Sequence, residues 1–434
     1  MSASGTKVQI PRQAWKVAVL AGMASYLDAG VIVTSGATFV IYRDDFGFGA
    51  GTLGVLSALL TLLFAVGALV GGRLGDRFGR RRVFTVTMVG LAVGVATMGA
   101  AQNVLMLYVG TVLVGFSIGA DLPVSLAMIA EEAPPGAKGR LIAFSHVLWM
   151  TAIGTVLALQ ALVGNLGTIG ARIMWLHLLV LALVVLVLRS RMPESKEWAA
   201  ERERARSAPP QDAEGHQLDA GNELVRRPFV LPLVALALFY GIVNLSANTG
   251  GQFATLLYTD VAGVSVSTAG TLGLIVLGIS FLSALGFMRI IESPNRMTFF
   301  LVGGVLYVVA QLLPLVFGPS LVTLVAWQAL SGVGGAFAGE PMWKIWSQEL
   351  FPTLLRASAQ GVTTFFTRVL AALVALGTPL LIEVGPSYLF AFLTVCVAFT
   401  TALGWFWIRR MPPGQDVEKA LEEGVPPREA FSLA

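Results

Sequence analysis

The sequence predicts an all-α membrane protein of twelve transmembrane helices, arranged as two six-helix bundles that are parallel repeats of one another. Three observations lead there. Apolar residues make up 56% of the 434-residue chain and charged residues 12%, about half the charge of an ordinary soluble domain. The apolar residues gather into twelve runs of about twenty, the length of helix that crosses a hydrocarbon core. The basic residues gather in every other segment between runs, which places them on one side of the bilayer, as the positive-inside rule requires.

The first run, 15–41, follows Lys7, Arg12 and Lys16. It is too long for the core of a signal peptide and lacks a small-residue cleavage site, so it reads as a retained first helix. Runs at 53–74, 83–101, 104–130, 140–164 and 171–190 complete a first set. The second and third are separated by Gly72-Arg73-Leu74-Gly75-Asp76-Arg77-Phe78-Gly79-Arg80-Arg81-Arg82, with five arginines in ten positions. Each arginine costs about 2.5–3.5 kcal/mol at the bilayer centre, so this is a short turn outside the membrane, with Asp76 in reach of several guanidinium partners. Residues 191–227, rich in Arg, Glu, Ala and Pro, read as a cytoplasmic linker with some helix near Glu197–Arg206. A second set of runs follows at 228–257, 266–290, 297–318, 321–348, 358–383 and 386–408. The expected organisation is therefore a bundle over 1–190, the linker 191–227, a bundle over 228–410 and a cytoplasmic tail over 411–434.

Alternating the loops from a cytoplasmic N-terminus puts every Lys and Arg on the inner side except Arg43 and Arg172 outside and Lys344 and Arg368 within runs. Both termini are expected in the cytoplasm and the protein in the cell membrane. The net charge of +4 and pI near 9.3 follow from this loop bias and do not imply nucleic acid. A single cysteine, Cys396, forms no intrachain disulfide. No phosphate-binding loop, paired Cys or His spacing, or nucleophile with a base is present in the sequence. The expectation is a transporter and not an enzyme, without cofactor or metal, working as a monomer on a small-molecule substrate and protons.

The two sets of runs repeat one another. Glu131-x-x-Pro134-x-x-x-Lys138 recurs as Glu349-x-x-Pro352-x-x-x-Arg356, and Arg191-Met192-Pro193 recurs as Arg410-Met411-Pro412 at nearly the same offset. The arginine-rich turn has a decayed counterpart in Arg289 to Arg296.

The Gly72–Arg82 run resembles the signature loop between helices 2 and 3 of major facilitator superfamily transporters. Within that superfamily the chain is similar over nearly its whole length to sugar porters and metabolite:proton symporters. Pro193-Glu194-Ser195-Lys196-Glu197-Trp198 resembles the motif after helix 6, with Glu197 where Arg is usual. Glu131 with Pro134, Lys138 and Gly139, and Glu349 with Pro352 and Arg356, resemble the stretches after helices 4 and 10. The resemblance implies parallel six-helix halves, a substrate site near the midplane between them, and a cytoplasmic gating network of Arg73, Asp76, Arg77, Arg80, Glu131, Lys138, Glu194, Glu349 and Arg356. Ion pairs present in one state only would bias the transport equilibrium.

The departures matter as much. The family's helix 4 arginine falls on Thr111 and its helix 5 glutamine near Ile153, and its helix 7 glutamine pair is replaced by a different polar set, Asn244, Asn248, Thr249 and Gln252. The tryptophan-bearing positions of helices 10 and 11 fall on Lys344 and Arg368. A hexose site is therefore not simply transferable.

Ionisable groups at membrane depth are functional by default. Asp28 lacks the family's arginine partner, and a carboxylate without a fixed cation can load and release a proton; Asp28, with Asp121 second, is the proton-coupling candidate. Glu340 and Lys344, at i and i+4, could neutralise each other or bind substrate. Pro341 and the glycines before it could free backbone polar groups for a ligand. Arg368 must find an acid, a substrate anion or water, whereas Asp260 and Glu383 fall at span ends. Tyr26, Trp149 and Trp343 offer aromatic faces to a ring substrate, or serve as interfacial anchors, and His146 lies one turn from Trp149. The substrate-binding candidates are Tyr26, Trp149, Asn244, Asn248, Gln252, Glu340, Trp343, Lys344 and Arg368. These predict proton-coupled symport of a sugar, polyol or related metabolite by alternating access. The alternatives are a proton-coupled organic or sugar acid transporter, favoured by Lys344 and Arg368, a drug efflux antiporter, or a non-transporting membrane sensor.

Overall fold

The computed structural model describes residues 10–134, 137–192, 194, 228–290, 293–352 and 355–423. The linker from 195, most of the Pro193–Trp198 motif, Glu197 included, and the end of the tail lie outside the described residues, as do the side chains of Asp76 and Lys138.

Twelve helices among the described residues are long and apolar enough to cross a membrane. They are α1 Arg12–Phe46, α2 Ala50–Phe78, α3 Arg80–Gly99, α4 Val104–Glu132, α5 Lys138–Val163 and α6 Thr168–Ser190. A second series follows with α7 Val230–Gln252, α8 Val266–Ile290, α9 Arg296–Phe317, a tenth span in two pieces, α11 Arg356–Val384 and α12 Pro386–Phe406. The helices overrun the apolar runs by a turn or less at most ends, because polar residues at headgroup depth continue a helix without entering hydrocarbon. The chain is a multi-pass membrane protein.

Three elements differ from expectation. The tenth run divides into α10a Leu321–Ala338 and α10b Glu340–Glu349, broken at Gly339 with φ −108 and ψ −140. The seventh ends early, at Gln252, and continues as a single turn Ala254–Leu256 and a π-helical turn Leu257–Val261. The glycine pair Gly250-Gly251 and the wider turn together interrupt what hydropathy alone reads as one helix. In the tail, Gly414–Glu422 forms a short helix, α13, with Val417 buried.

The break at Gly339 has an instructive sibling. Ala338-Gly339-Glu340-Pro341 stands in the same repeat register as Ala120-Asp121-Leu122-Pro123. Both prolines remove an N–H from the helical ladder. Yet α4 runs unbroken through Pro123, whereas the tenth span breaks. Asp121, where its sibling is glycine, supplies the side chain that ties α4 to its neighbours, as described below.

The chain divides into two compact units, Met1–Gly49 with Leu59–Ala208, and Ala50–Ala58 with Pro209–Ala434. In the first, α1 is buried along most of its length and packs on α4, α5 and α6, while α3 packs on α4 and α6. Small residues make this possible, since without a hydrophobic drive between helices in lipid, close backbone approach supplies the attraction. The contact of α2 with α4 is the tightest case: a Cβ on Gly71 would collide with the Ala120 backbone. Gly71→Val is expected to cost about 1–3 kcal/mol, seen as a lowered melting temperature in detergent; an unchanged melting temperature would refute the close approach.

In the second unit α7 packs on α11, α12 and α10b, α9 on α10a and α12, and α8 on α10a. Its core is aromatic. Trp346 meets Phe239 and Phe300 edge-on, and Trp343 stacks on Tyr240 with centroids 4.0 Å apart.

Candidate functional site

In the first unit, polar side chains converge near the middle of α1, α5 and α6. Asp28 on α1 is 3% exposed, and the Trp149 indole N–H of α5 donates to its Oδ2 at 3.2 Å. Tyr26, two residues earlier, makes a 2.9 Å hydrogen bond to Nε2 of His177 on α6, and Thr155 is a further side-chain partner. His146 stacks on Trp149 with centroids 5.5 Å apart. Indole with carboxylate and phenol with imidazole thus form two hydrogen-bonded pairs, two residues apart along α1, from groups suited to a ring carrying hydroxyls. Thr111, at the family's arginine position, spends its hydroxyl on Met98 Sδ at 3.9 Å.

Asp121 sits elsewhere. Both its oxygens accept from Nη1 of Arg189, at 2.8 and 2.9 Å, with both side chains almost fully buried. Thr87 and Ser125 donate to it at 3.1 Å each. The remaining nitrogens of Arg189 donate to the Leu20 and Ala21 carbonyls at 2.7 and 2.8 Å, and its plane lies over Phe84. The expectation that Asp121 is a second proton-coupling acid is therefore corrected. Its carboxylate is fully engaged by a guanidinium and two hydroxyls, and this cluster ties α1, α3, α4 and α6 together at one point.

At the end expected to face the cytoplasm, Arg80 holds Glu131 through Nη2 at 2.7 Å and Nε at 3.2 Å. Glu194 accepts the backbone N–H groups of Arg80 and Arg81 at 2.9 and 3.2 Å, which places its charge on the positive N-terminal end of α3. Gly79 turns the chain into that end with φ +98, a conformation costly for any residue with a Cβ. Arg73 and Arg77 are exposed. Arg73 reaches the Leu69 carbonyl at 3.5 Å, and Arg77 lies over Phe78. Glu194→Gln is expected to slow transport several-fold with affinity kept within a factor of about two, since one charge–dipole contact is worth about 0.3–1 kcal/mol. Parallel rate and binding measurements check this, and a proportional loss of affinity would overturn it.

The second unit repeats the pair. Arg296, first residue of α9, holds Glu349 at the end of α10b through two bonds of 2.7 and 3.0 Å, as Arg80, first residue of α3, holds Glu131 at the end of α4. Arg356 instead donates to the Phe351 carbonyl at 3.0 Å.

Of the substrate candidates in this unit, Asn248 donates to Gln252 at 3.3 Å, and Gln252 donates to the Ser57 carbonyl at 3.3 Å. Asn244 is half-buried on the same helix. Lys344 and Glu340 form an ion pair of 2.8 Å with both side chains about half exposed. Arg368 is half-buried on α11. Trp343 needs correction: it is 6% exposed, stacked on Tyr240, and its N–H is given to Thr363 at 3.2 Å, so it packs the bundle and does not present a face to a ligand.

The sequence reading missed several polar residues. Arg189 and Arg296 were counted only as loop charges. His177 lay inside an apolar run, and Gln311, which bonds Ser246, Ser331 and Trp327 at 2.9, 3.0 and 2.7 Å, lay inside another. Tyr258 donates to Gln328 at 2.7 Å, and burial pushes its phenol up from the ordinary value, which keeps it a donor. A scan for lone polar residues within apolar runs finds His177 and Gln311, whereas Arg189, Arg296 and Tyr258 stand at or beyond the ends of runs.

A family model described as Major Facilitator Superfamily matches residues 18–292. The minor myo-inositol transporter IolF of Bacillus subtilis (strain 168) is 30% identical over 419 residues, covering 94% of this chain and 93% of the relative. The probable metabolite transport protein CsbC of the same organism is 27% identical, covering 93% and 91%. Among solved structures, that of a D-xylose-proton symporter matches with a TM-score of 0.72 and 17% identity over 93% of this chain and 98% of the other.

Proposed function

The chain belongs to the major facilitator superfamily, and from that premise we propose that it is a proton-coupled symporter of a polyhydroxylated small metabolite, a cyclic polyol such as myo-inositol. It is a transporter, not an enzyme. The observation that carries the reading is the set of Tyr26, Asp28, Trp149 and His177 at mid-length in α1, α5 and α6. Carboxylate and imidazole accept or share hydrogen bonds with ring hydroxyls, while the indole lies against their C–H faces. The 30% identical relative named as a myo-inositol transporter supports the substrate class.

Asp28 is the proton-coupling acid in this reading, and in the second unit Asn244, Asn248 and Gln252 are substrate-binding residues. The chain lies in the cell membrane with both termini cytoplasmic, and it works as a monomer. Arg80 with Glu131, Glu194, and Arg296 with Glu349 govern conformational exchange at the cytoplasmic end. Asp76, Lys138, Arg73, Arg77 and Arg356 are placed in the same network by their motifs.

The sugar-acid alternative rested on Lys344 and Arg368. Pairing of Lys344 with Glu340 leaves that alternative with Arg368 as its cation. Uptake of labelled myo-inositol into vesicles carrying the purified protein, with glucuronate as competitor, tests both. Saturable uptake competed by polyols supports the proposal; uptake competed by glucuronate alone would replace it with the acid reading.

A further inference from the structure

We propose that His177 is a proton-binding residue of the transport site, and that the Tyr26 hydroxyl converts its protonation into a change of hydrogen-bond direction toward the ligand. This rests on the reading of α1 as a lining of that site. A histidine at mid-length in a transmembrane helix is expensive to keep without a function. Here Nε2 is bonded to Tyr26 at 2.9 Å, while Nδ1 is buried without a hydrogen-bond partner among the described residues. The ring is therefore held through one nitrogen only.

The chemistry follows from the donor inventory. A neutral imidazole carries hydrogen on one nitrogen, so Nε2 can accept the Tyr26 O–H. The imidazolium carries hydrogen on both. On taking up a proton, the ring donates from Nε2 to the Tyr26 oxygen, and the phenolic hydrogen must turn to another acceptor. That acceptor is a ligand hydroxyl oxygen or the Thr155 hydroxyl. No bond other than N–H forms, and the proton comes from solvent and returns to it. Protonation thereby strengthens the hold on a hydroxylated ligand at Tyr26, and by linkage the ligand raises the ring's affinity for its proton.

The ionisable groups on the helices packed against α6 fit this role. On α1, Tyr26 bonds the ring and Asp28 stands two residues further on, with Arg12 and Lys16 at the start and Tyr42 to Asp45 at the end. On α3 they are Arg80, Arg81 and Arg82 at its first turn, and on α5 Lys138, Arg140 and His146. On α6 itself Arg172 and Arg189 lie beyond one turn on either side, and Arg189 is committed to Asp121. Asp28, two residues from Tyr26, is the acid on these helices nearest in sequence to the Tyr26–His177 contact.

The test uses the full chain in lipid nanodiscs, with its histidines labelled and ring signals followed by NMR from about pH 5 to 8, the range in which histidine titrates. The parent, His177→Gln and Tyr26→Phe are compared without ligand. The expected result is a signal that is absent in His177→Gln and titrates in the parent, with a midpoint displaced by about half a pH unit or more in Tyr26→Phe. A His177 signal that stays neutral throughout, or titrates identically in Tyr26→Phe, would overturn the proposal. In vesicles, myo-inositol counterflow is expected to show a step at the same midpoint that Tyr26→Phe flattens. If the parent moves no myo-inositol, the substrate reading fails while the NMR titration still decides the role of His177.

Discussion

Replacing Arg189 with leucine is expected to remove most of the folded protein. The substitution strands the Asp121 carboxylate in a fully buried place with two hydroxyls and no cation, and it frees the Leu20 and Ala21 carbonyls from their donors. Breaking a buried pair by removing one partner costs about 3–5 kcal/mol, a large share of the roughly 5–15 kcal/mol that holds a typical protein together. The double replacement Asp121→Leu with Arg189→Met removes both charges and leaves no ion stranded, so it is expected to recover much of the loss. Fluorescence-detected size exclusion after heating distinguishes the three proteins. Wild-type stability in Arg189→Leu would show that the pair does not tie the helices together.

Asp28→Asn is expected to have the largest effect on transport while leaving the fold intact. The amide keeps the shape and an acceptor for the Trp149 N–H, but it cannot carry a proton. Accumulation of myo-inositol driven by a pH gradient should fall about tenfold or more, within the usual 1–3 kcal/mol range of a coupling energy. Counterflow, which needs no net proton movement, should fall by less. Gradient-driven accumulation at the parental level in Asp28→Asn would remove Asp28 from the coupling mechanism.

Sequence reading located the helices because the bilayer imposes one length and one composition on every span. It singled out Glu131 and Glu349 because charges at helix ends in a duplicated chain leave a repeated pattern, and Arg80 because it belongs to the arginine-rich turn. It failed wherever the deciding contact joins residues distant in sequence. Arg189 ends an apolar run and reads as one more inner-face charge; only the fold brings it to Asp121 on α4. His177 carries no motif, and its meaning depends on Tyr26 across a helix interface. Trp343 was misjudged for the opposite reason, since indole serves a binding face or a packed core equally well and only burial separates the two. The break after Ala338 was half legible: Pro341 and its glycines announced weakness, but Pro123 in an unbroken helix shows that proline alone does not decide.

That pair of prolines also bears on how each unit meets bilayers of different thickness. A span answers hydrophobic mismatch by tilting or bending, at a fraction of a kcal/mol per ångström. The α4 helix, cross-tied at Asp121, behaves as a stiff strut and must tilt with its bundle. The tenth span, jointed at Gly339, can absorb the same strain by changing the angle between α10a and α10b. Thin and thick lipids would therefore act on this transporter mainly through its C-terminal unit, and lengthening the acyl chains should alter turnover in a way that a helix-restoring residue at Gly339 abolishes.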